Sequence, residues 1–252
     1  MIALSELVTY TSRLLCVDEF QDYCPNGLQV EGKPQVRKLV SGVTASLALI
    51  EAAVATGADA LLVHHGYFWT GEDLAITGMK RKRIAGLIKS GISLLAYHLP
   101  LDAHPEFGNN IQLARILGLE VQGRFGAGDG PELALFGKLQ TPLSGGDLAS
   151  HLSQRLGRMP LHVPGGRDPI QTVGWCTGAA QTYIEAAAAL ELDAFISGEV
   201  SEPTVHIARE SQIHYFAAGH HATERYGVQA VGAHLAAQFD LQFEFIDIDN
   251  PV

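Results

Sequence analysis

A chain of 252 residues, 47% hydrophobic and 17% charged, can bury a sizeable core and is too apolar to be disordered. Its formal charge of −10 argues against a general nucleic-acid surface. Cys16, Cys24 and Cys176 are far apart with no Cys-x-x-Cys, so neither a disulfide framework nor a thiolate zinc site is expected.

Met1 to Leu15 lacks a basic start and a cleavage site, and no apolar run is long enough to cross a bilayer, so the expected compartment is the cytoplasm. Leu4, Leu7, Val8 and Leu15 recur at helical spacing and predict a first helix. Asp22-Tyr23-Cys24-Pro25-Asn26-Gly27 reads as a loop, Leu28 to Val30 as a short strand and Val36 to Val43 as a longer one. Thr44 is the expected cap of the next helix, whose apolar stripe would be Leu47, Ile50 and Val54, with Gly57 closing it.

Ala60 to Val63 runs without a polar interruption, as a strand buried on both faces does. It stops at His64-His65-Gly66. Strand neighbours point to opposite faces, so both histidines serve one site only if the chain turns, which Gly66 permits. This strand–helix–strand unit predicts a parallel sheet, with ligands bound beyond the carboxyl ends of its strands.

Lys80 to Ser90 is predicted helical, and Ile92 to Tyr97 a strand ending in His98-Leu99-Pro100-Leu101-Asp102. Asn110 to Leu117 is a helix. The glycine-rich stretch Arg124 to Pro131 is the expected boundary between two α/β domains, 1–128 and 129–252. Leu133 to Leu139 reads as a strand, Gly146 to Leu156 as a helix, and Leu161 to Val163 as a strand before the turn Pro164-Gly165-Gly166.

The chain then repeats itself. Ile50-Glu51-Ala52-Ala53 returns as Ile184-Glu185-Ala186-Ala187, and Asp59-Ala60 as Asp193-Ala194 at the same offset. Ala194 to Glu199 therefore matches the central strand. The next strand, Ile213 to Ala218, ends in Gly219-His220-His221-Ala222-Thr223-Glu224, and residues 241 to 248 form a last strand.

His64, His65, Asp102, His220 and Glu224 each follow the carboxyl end of a predicted strand and form the proposed metal set. His220 and Glu224, four apart, share a helical face; His221 projects elsewhere. Imidazole and carboxylate donors suit zinc, iron, manganese or nickel rather than calcium. Five ligands exceed what one open catalytic ion needs, so two divalent transition-metal ions fit better. The alternative is a buried and an exposed histidine and a surface His–Glu pair.

His98 is the expected acid–base or substrate-orienting group. His104 reads as a loop histidine, and Glu199 with His206 as ligand-orienting partners or a structural pair. Lys80 to Arg83 is a solvated face or a phosphate contact. Tyr67-Phe68-Trp69 is packing or a base-stacking platform.

Tyr23 to Gly32, Val63-His64-His65-Gly66, His98 to Asp102 and Gly219 to Arg225 together resemble the Nif-three-like family, in its YbgI-like bacterial branch. Its members are often labelled GTP cyclohydrolase I type-two homologues. The resemblance covers essentially the whole chain. It implies a dinuclear metal centre in a cleft between two α/β domains, with ligands at the same five residues, and a ring-shaped homohexamer. Two functions remain: a metal-dependent hydrolase of a small, nucleotide-like molecule, and a metal-binding regulatory or scaffold protein without turnover. No Walker lysine loop and no Gly-x-Gly-x-x-Gly after a strand is present.

Overall fold

The computed structural model describes residues 1–127 and 131–252. In chain order the first elements are β1 (Ile2–Ala3), α1 (Leu4–Leu14), β2 (Gly27–Val30), β3 (Gln35–Val36), β4 (Lys38–Thr44), α2 (Leu47–Ala55), β5 (Ala60–His65), α3 (Gly78–Ser90), β6 (Ser93–Ala96) and α4 (Leu99–Ala103). Then come α5 (Asn109–Leu117), β7 (Leu119–Phe125), β8 (Ala134–Leu143), α6 (Gly145–Leu156), β9 (Leu161–Val163) and β10 (Ile170–Cys176). The chain closes with α7 (Ile184–Ala189), β11 (Ala194–Ser197), α8 (Glu202–Glu210), β12 (His214–Ala217), α9 (His220–Phe239) and β13 (Gln242–Phe245). Among the described residues no helix is long and apolar enough to cross a membrane.

The chain forms two compact units: residues 1–107 with 227–249, and 108–226 with 250–252. The expected boundary at 128 lies outside the described residues. On either side of it, β7 and β8 pair antiparallel in one sheet, so the glycine-rich stretch joins two neighbouring strands of the second unit.

The first unit carries the sheet β13-β4-β5-β6-β2, in which only the β2 edge runs antiparallel. Its pleat divides the core. Leu39, Ala60, Leu62 and Leu95 pack with Leu7 of α1 and Val228, Val231 and Leu235 of α9. Val40, Leu61, Val63 and Leu94 pack with Leu49 and Ile50 of α2 and Ile84 and Leu87 of α3. Both faces are covered, which is why the Ala60–Val63 run has no polar member.

Two details of α2 differ from the sequence reading. Ser46, not Thr44, is the cap: its hydroxyl accepts from Leu49 N at 3.2 Å, while Thr44 still belongs to β4. The buried face is Leu49, Ile50 and Ala53, with Leu47 and Val54 exposed. The helix is apolar nearly all round, so its sequence offers no polar side to orient the stripe.

The second unit has the sheet β7-β8-β10-β11-β12-β9. Here the expected parallel pairing holds only for β10, β11 and β12; β7, β8 and β9 join antiparallel, so this sheet is mixed. One face packs Trp175, Ile196 and Phe216 against Leu113 and Leu117 of α5 and Leu148, Leu152 and Leu156 of α6.

The sequence repeat has a physical counterpart. Asp59 stands just before β5 and its Oδ2 accepts from Arg37 N and Lys38 N, at 3.0 and 3.2 Å, at the start of β4. Asp193 stands just before β11 and its Oδ2 accepts from Gln171 N and Thr172 N, at 3.0 and 2.8 Å, at the start of β10. In each unit one carboxylate ties the amino ends of two parallel strands together.

Candidate functional site

In the first unit, donors gather at the carboxyl ends of β5 and β6; His64 and His65 are the last two residues of β5 itself rather than following it. His64 is fully buried, and its Nδ1 donates to the Tyr97 carbonyl at 2.9 Å. That bond fixes the tautomer and leaves the Nε2 lone pair as the donor. His65 Nδ1 is hydrogen-bonded to Thr44 Oγ1 at 3.1 Å, at the end of the neighbouring strand β4. The two rings lie 4.5 Å apart between centroids.

Gly66 serves this turn differently from the sequence expectation. Its backbone is not left-handed; a side chain there would strike the Gln29 amide oxygen and come within 2.6 Å of Ala96 Cβ. Gln29 in turn accepts from Tyr67 N at 2.7 Å and donates to Tyr67 O at 3.1 Å, pinning the chain as it leaves the histidines.

Asp102 lies on α4, which Pro100 opens in its first turn. The carboxylate is buried, with Oδ1 3.5 Å from His64 Nε2. His98 sits at the cap of that helix. Its ring is 5.1 Å from His64 and 6.0 Å from His65, and one ligand atom from each of the three lies within 4.8 Å of the others. His98 thus stands as near the histidine pair as a ligand would.

The Asp22–Asn26 segment, read from sequence only as a loop, is the clamp on His98. Asp22 Oδ1 accepts from His98 Nδ1 at 2.7 Å, and Oδ2 accepts from Leu99 N and Asn26 Nδ2, both at 2.9 Å. Asn26 Oδ1 accepts from His98 N at 2.7 Å. Burial pushes the Asp22 carboxyl up, but the bonds and charge from His98, Asn26 and Leu99 together hold it below the usual range. The signal in the sequence was an Asp and an Asn four apart around Pro25. Burial, with the Asp22 charge, raises the Cys24 thiol to about 12, so it stays protonated beside them.

In the second unit the donors stand beyond β12, on the first turn of α9. His220 Nδ1 donates to Glu199 Oε1 at 2.7 Å, and its Nε2 lies 3.1 Å from Glu224 Oε2, one turn on. Burial disfavours the imidazolium most strongly, yet the bonds and charges of Glu224 and Glu199 together outweigh it and raise the His220 pKa to about 9. Glu224 is buried.

The other residues singled out in the sequence fall as follows. Glu199 orients His220 and is not paired with His206, which meets Glu202 at 2.9 Å on the exposed face of α8. His221 donates its backbone N–H to Val252 O at 3.0 Å and joins no ligand cluster among the described residues. His104 Nδ1 accepts from Glu106 N and Phe107 N in its own loop. Lys80 pairs with Glu72 at 3.3 Å. The aromatic trio splits: Tyr67 is buried and donates to Ala45 O, while Trp69 meets the His98 ring edge-on at 4.9 Å.

The chain is similar to several known proteins. The GTP cyclohydrolase 1 type 2 homolog of Pseudomonas aeruginosa is 57% identical over 250 residues, 99% of each chain. That of Vibrio cholerae is 59% identical over 234 residues, 92% of each. A solved structure of protein ybgI, described as of unknown function, is 50% identical with a TM-score of 0.96 over 100% of each chain. TTHA1606 from Thermus thermophilus is 37% identical with a TM-score of 0.88, again over 100% of each chain. Residues 2–251 match the family described as Duf34/NIF3 (NGG1p interacting factor 3), and the chain belongs to that family.

Proposed function

We propose that His64, His65, Asp102, His220 and Glu224 together hold two divalent transition-metal ions, and that this centre hydrolyses a small, nucleotide-like molecule. The observation that carries the reading is the orientation of the imidazoles. His64 and His220 donate Nδ1 to a backbone carbonyl and a carboxylate, the arrangement that presents Nε2 to a metal ion. The buried carboxylates Asp102 and Glu224 each lie beside one of those Nε2 atoms. Nitrogen and oxygen donors fit zinc, iron, manganese or nickel.

Ions held there would supply Lewis acidity. The chain's own contribution is to place and move protons. His98, oriented through Nδ1 by Asp22, presents Nε2 as the acid or base. The names of the relatives motivate the nucleotide-like substrate.

A regulatory or scaffold role without turnover is the second reading. It is favoured by the lack of a phosphate-cradling glycine motif in the sequence. A substrate panel on metal-loaded protein separates the two: turnover abolished by His64→Ala supports hydrolysis, and partner binding without turnover supports the other.

Metal analysis of reconstituted protein should approach two ions per chain. A protein that stays empty under saturating zinc, iron or manganese would sink the centre itself. By family resemblance the assembly is a toroidal homohexamer, and a clean monomer in light scattering at micromolar concentration would remove that assignment.

A further inference from the structure

Beside His220 stands a cation that the metal reading does not use. Arg158 follows the end of α6, where Gly157 turns the chain at φ +75. Its side chain lies against the backbone of Gly219, the residue before His220. A Cβ built at Gly219 would meet Arg158 Nη1 and fall 2.7 Å from its Cδ and 2.9 Å from its Cζ. Gly219 also holds φ +103, so two independent constraints keep this position free of a side chain. The backbone is shaped to admit a guanidinium.

Among the described residues, Arg158 Nη1 is inaccessible and has no hydrogen-bond acceptor. The residue as a whole is half-buried. A guanidinium that is partly desolvated and not neutralised carries a cost that an arriving anion removes. A second guanidinium is anchored to the same stretch: Arg225 Nη2 donates to Leu156 O at 2.7 Å. The first-turn N–H of His221 is already taken by Val252 O at 3.0 Å.

We propose that Arg158 anchors a phosphate group of the substrate: its guanidinium, seated on Gly219, binds the phosphate while the reacting atoms lie at the His220–Glu224 end of the metal centre. The last clause rests on the function proposed above; the anchor does not. A planar fork matches tetrahedral oxyanions through paired N–H bonds, which an ammonium cannot reproduce.

The test is titration with inorganic phosphate, by calorimetry, of the protein as purified and after chelation, with metal per chain and circular dichroism measured in parallel. Wild type should bind phosphate saturably in both forms. Arg158→Ala should weaken binding about tenfold or more, the loss of one charge-assisted pair, with metal content unchanged. Arg158→Lys, which keeps the charge and is the fallback if the alanine variant misfolds, should recover only part of it. Acetate at equal concentration should compete poorly.

Absent phosphate binding in wild type, equal affinity in Arg158→Ala, full recovery in Arg158→Lys, or acetate competing as well as phosphate would each overturn the anchor. A protein that takes up no metal but still binds phosphate through Arg158 would refute the metal centre and leave the anchor standing.

Discussion

Gly178 holds φ +68, and a Cβ there would collide with Glu224 Oε1 and fall 3.1 Å from its Cδ and 3.3 Å from His220 Nε2. Glycine is therefore what lets the carboxylate and the imidazole meet. Gly178→Ala adds left-handed strain of about 1–2 kcal/mol and displaces Glu224. The expected result is a folded protein by circular dichroism with clearly reduced metal per chain; unchanged occupancy would show that Glu224 is not a ligand. His98 poses the opposite question. Its assigned role is acid–base, so His98→Ala should retain metal while losing turnover. Loss of metal as complete as in His64→Ala would make it a ligand, an outcome its 5.1 Å ring separation from His64 leaves within reach. At this scale the sequence was informative wherever a ligand type followed a strand end. It was silent on Asp22, because a carboxylate that acts through another side chain has no spacing of its own to betray it.

Among the elements, the Asp59 and Asp193 clamps show why the repeat was legible. Each carboxylate must stand one residue before its strand to reach two backbone N–H groups of the neighbouring strand, so its offset is fixed. Burial pushes the Asp193 carboxyl up, but the N–H groups of Thr172 and Gln171 and the Thr172 hydroxyl hold it below 3.8. A carboxyl depressed by folding contributes stability that is full above its unfolded pKa and disappears as pH falls through its folded value. Asp193→Asn should thus unfold more easily than wild type in urea near neutral pH, and the gap should close as pH falls through and below the usual carboxylate range. A gap of constant size across that range would mean that the charge is not involved. The elements that escaped the sequence lacked such a fixed marker. β10, Ile170–Cys176, is interrupted by Gln171, Thr172 and Gly174, and α8 opens with Glu202-Pro203 directly after a strand-end loop. The glycines between β7 and β8 mark a connection, and composition alone cannot say whether a connection lies within a unit or separates two.

For the molecule as a whole, parallel β4-β5-β6 and β10-β11-β12 explain why two similar halves could be read from one chain. The antiparallel additions β7, β8 and β9 explain why the second half is larger in its sheet than the repeat suggested. α9 was visible only at its first turn, where His220 and Glu224 stand. Its later residues Val228, Val231 and Leu235 complete the core of the other unit, together with β13, which pairs with β4. This interleaving sets an order of assembly during synthesis. Residues 1–107 leave the ribosome first, yet β4 keeps an open edge and Leu7, Leu39 and Leu62 lack part of their covering until residues 228–245 have been made. The unit begun first completes its sheet only after residues 108–226 of the other have been made. Throughout that interval it presents an unpaired parallel strand, the kind of edge that nascent chains pair with wrongly and that chaperones shield.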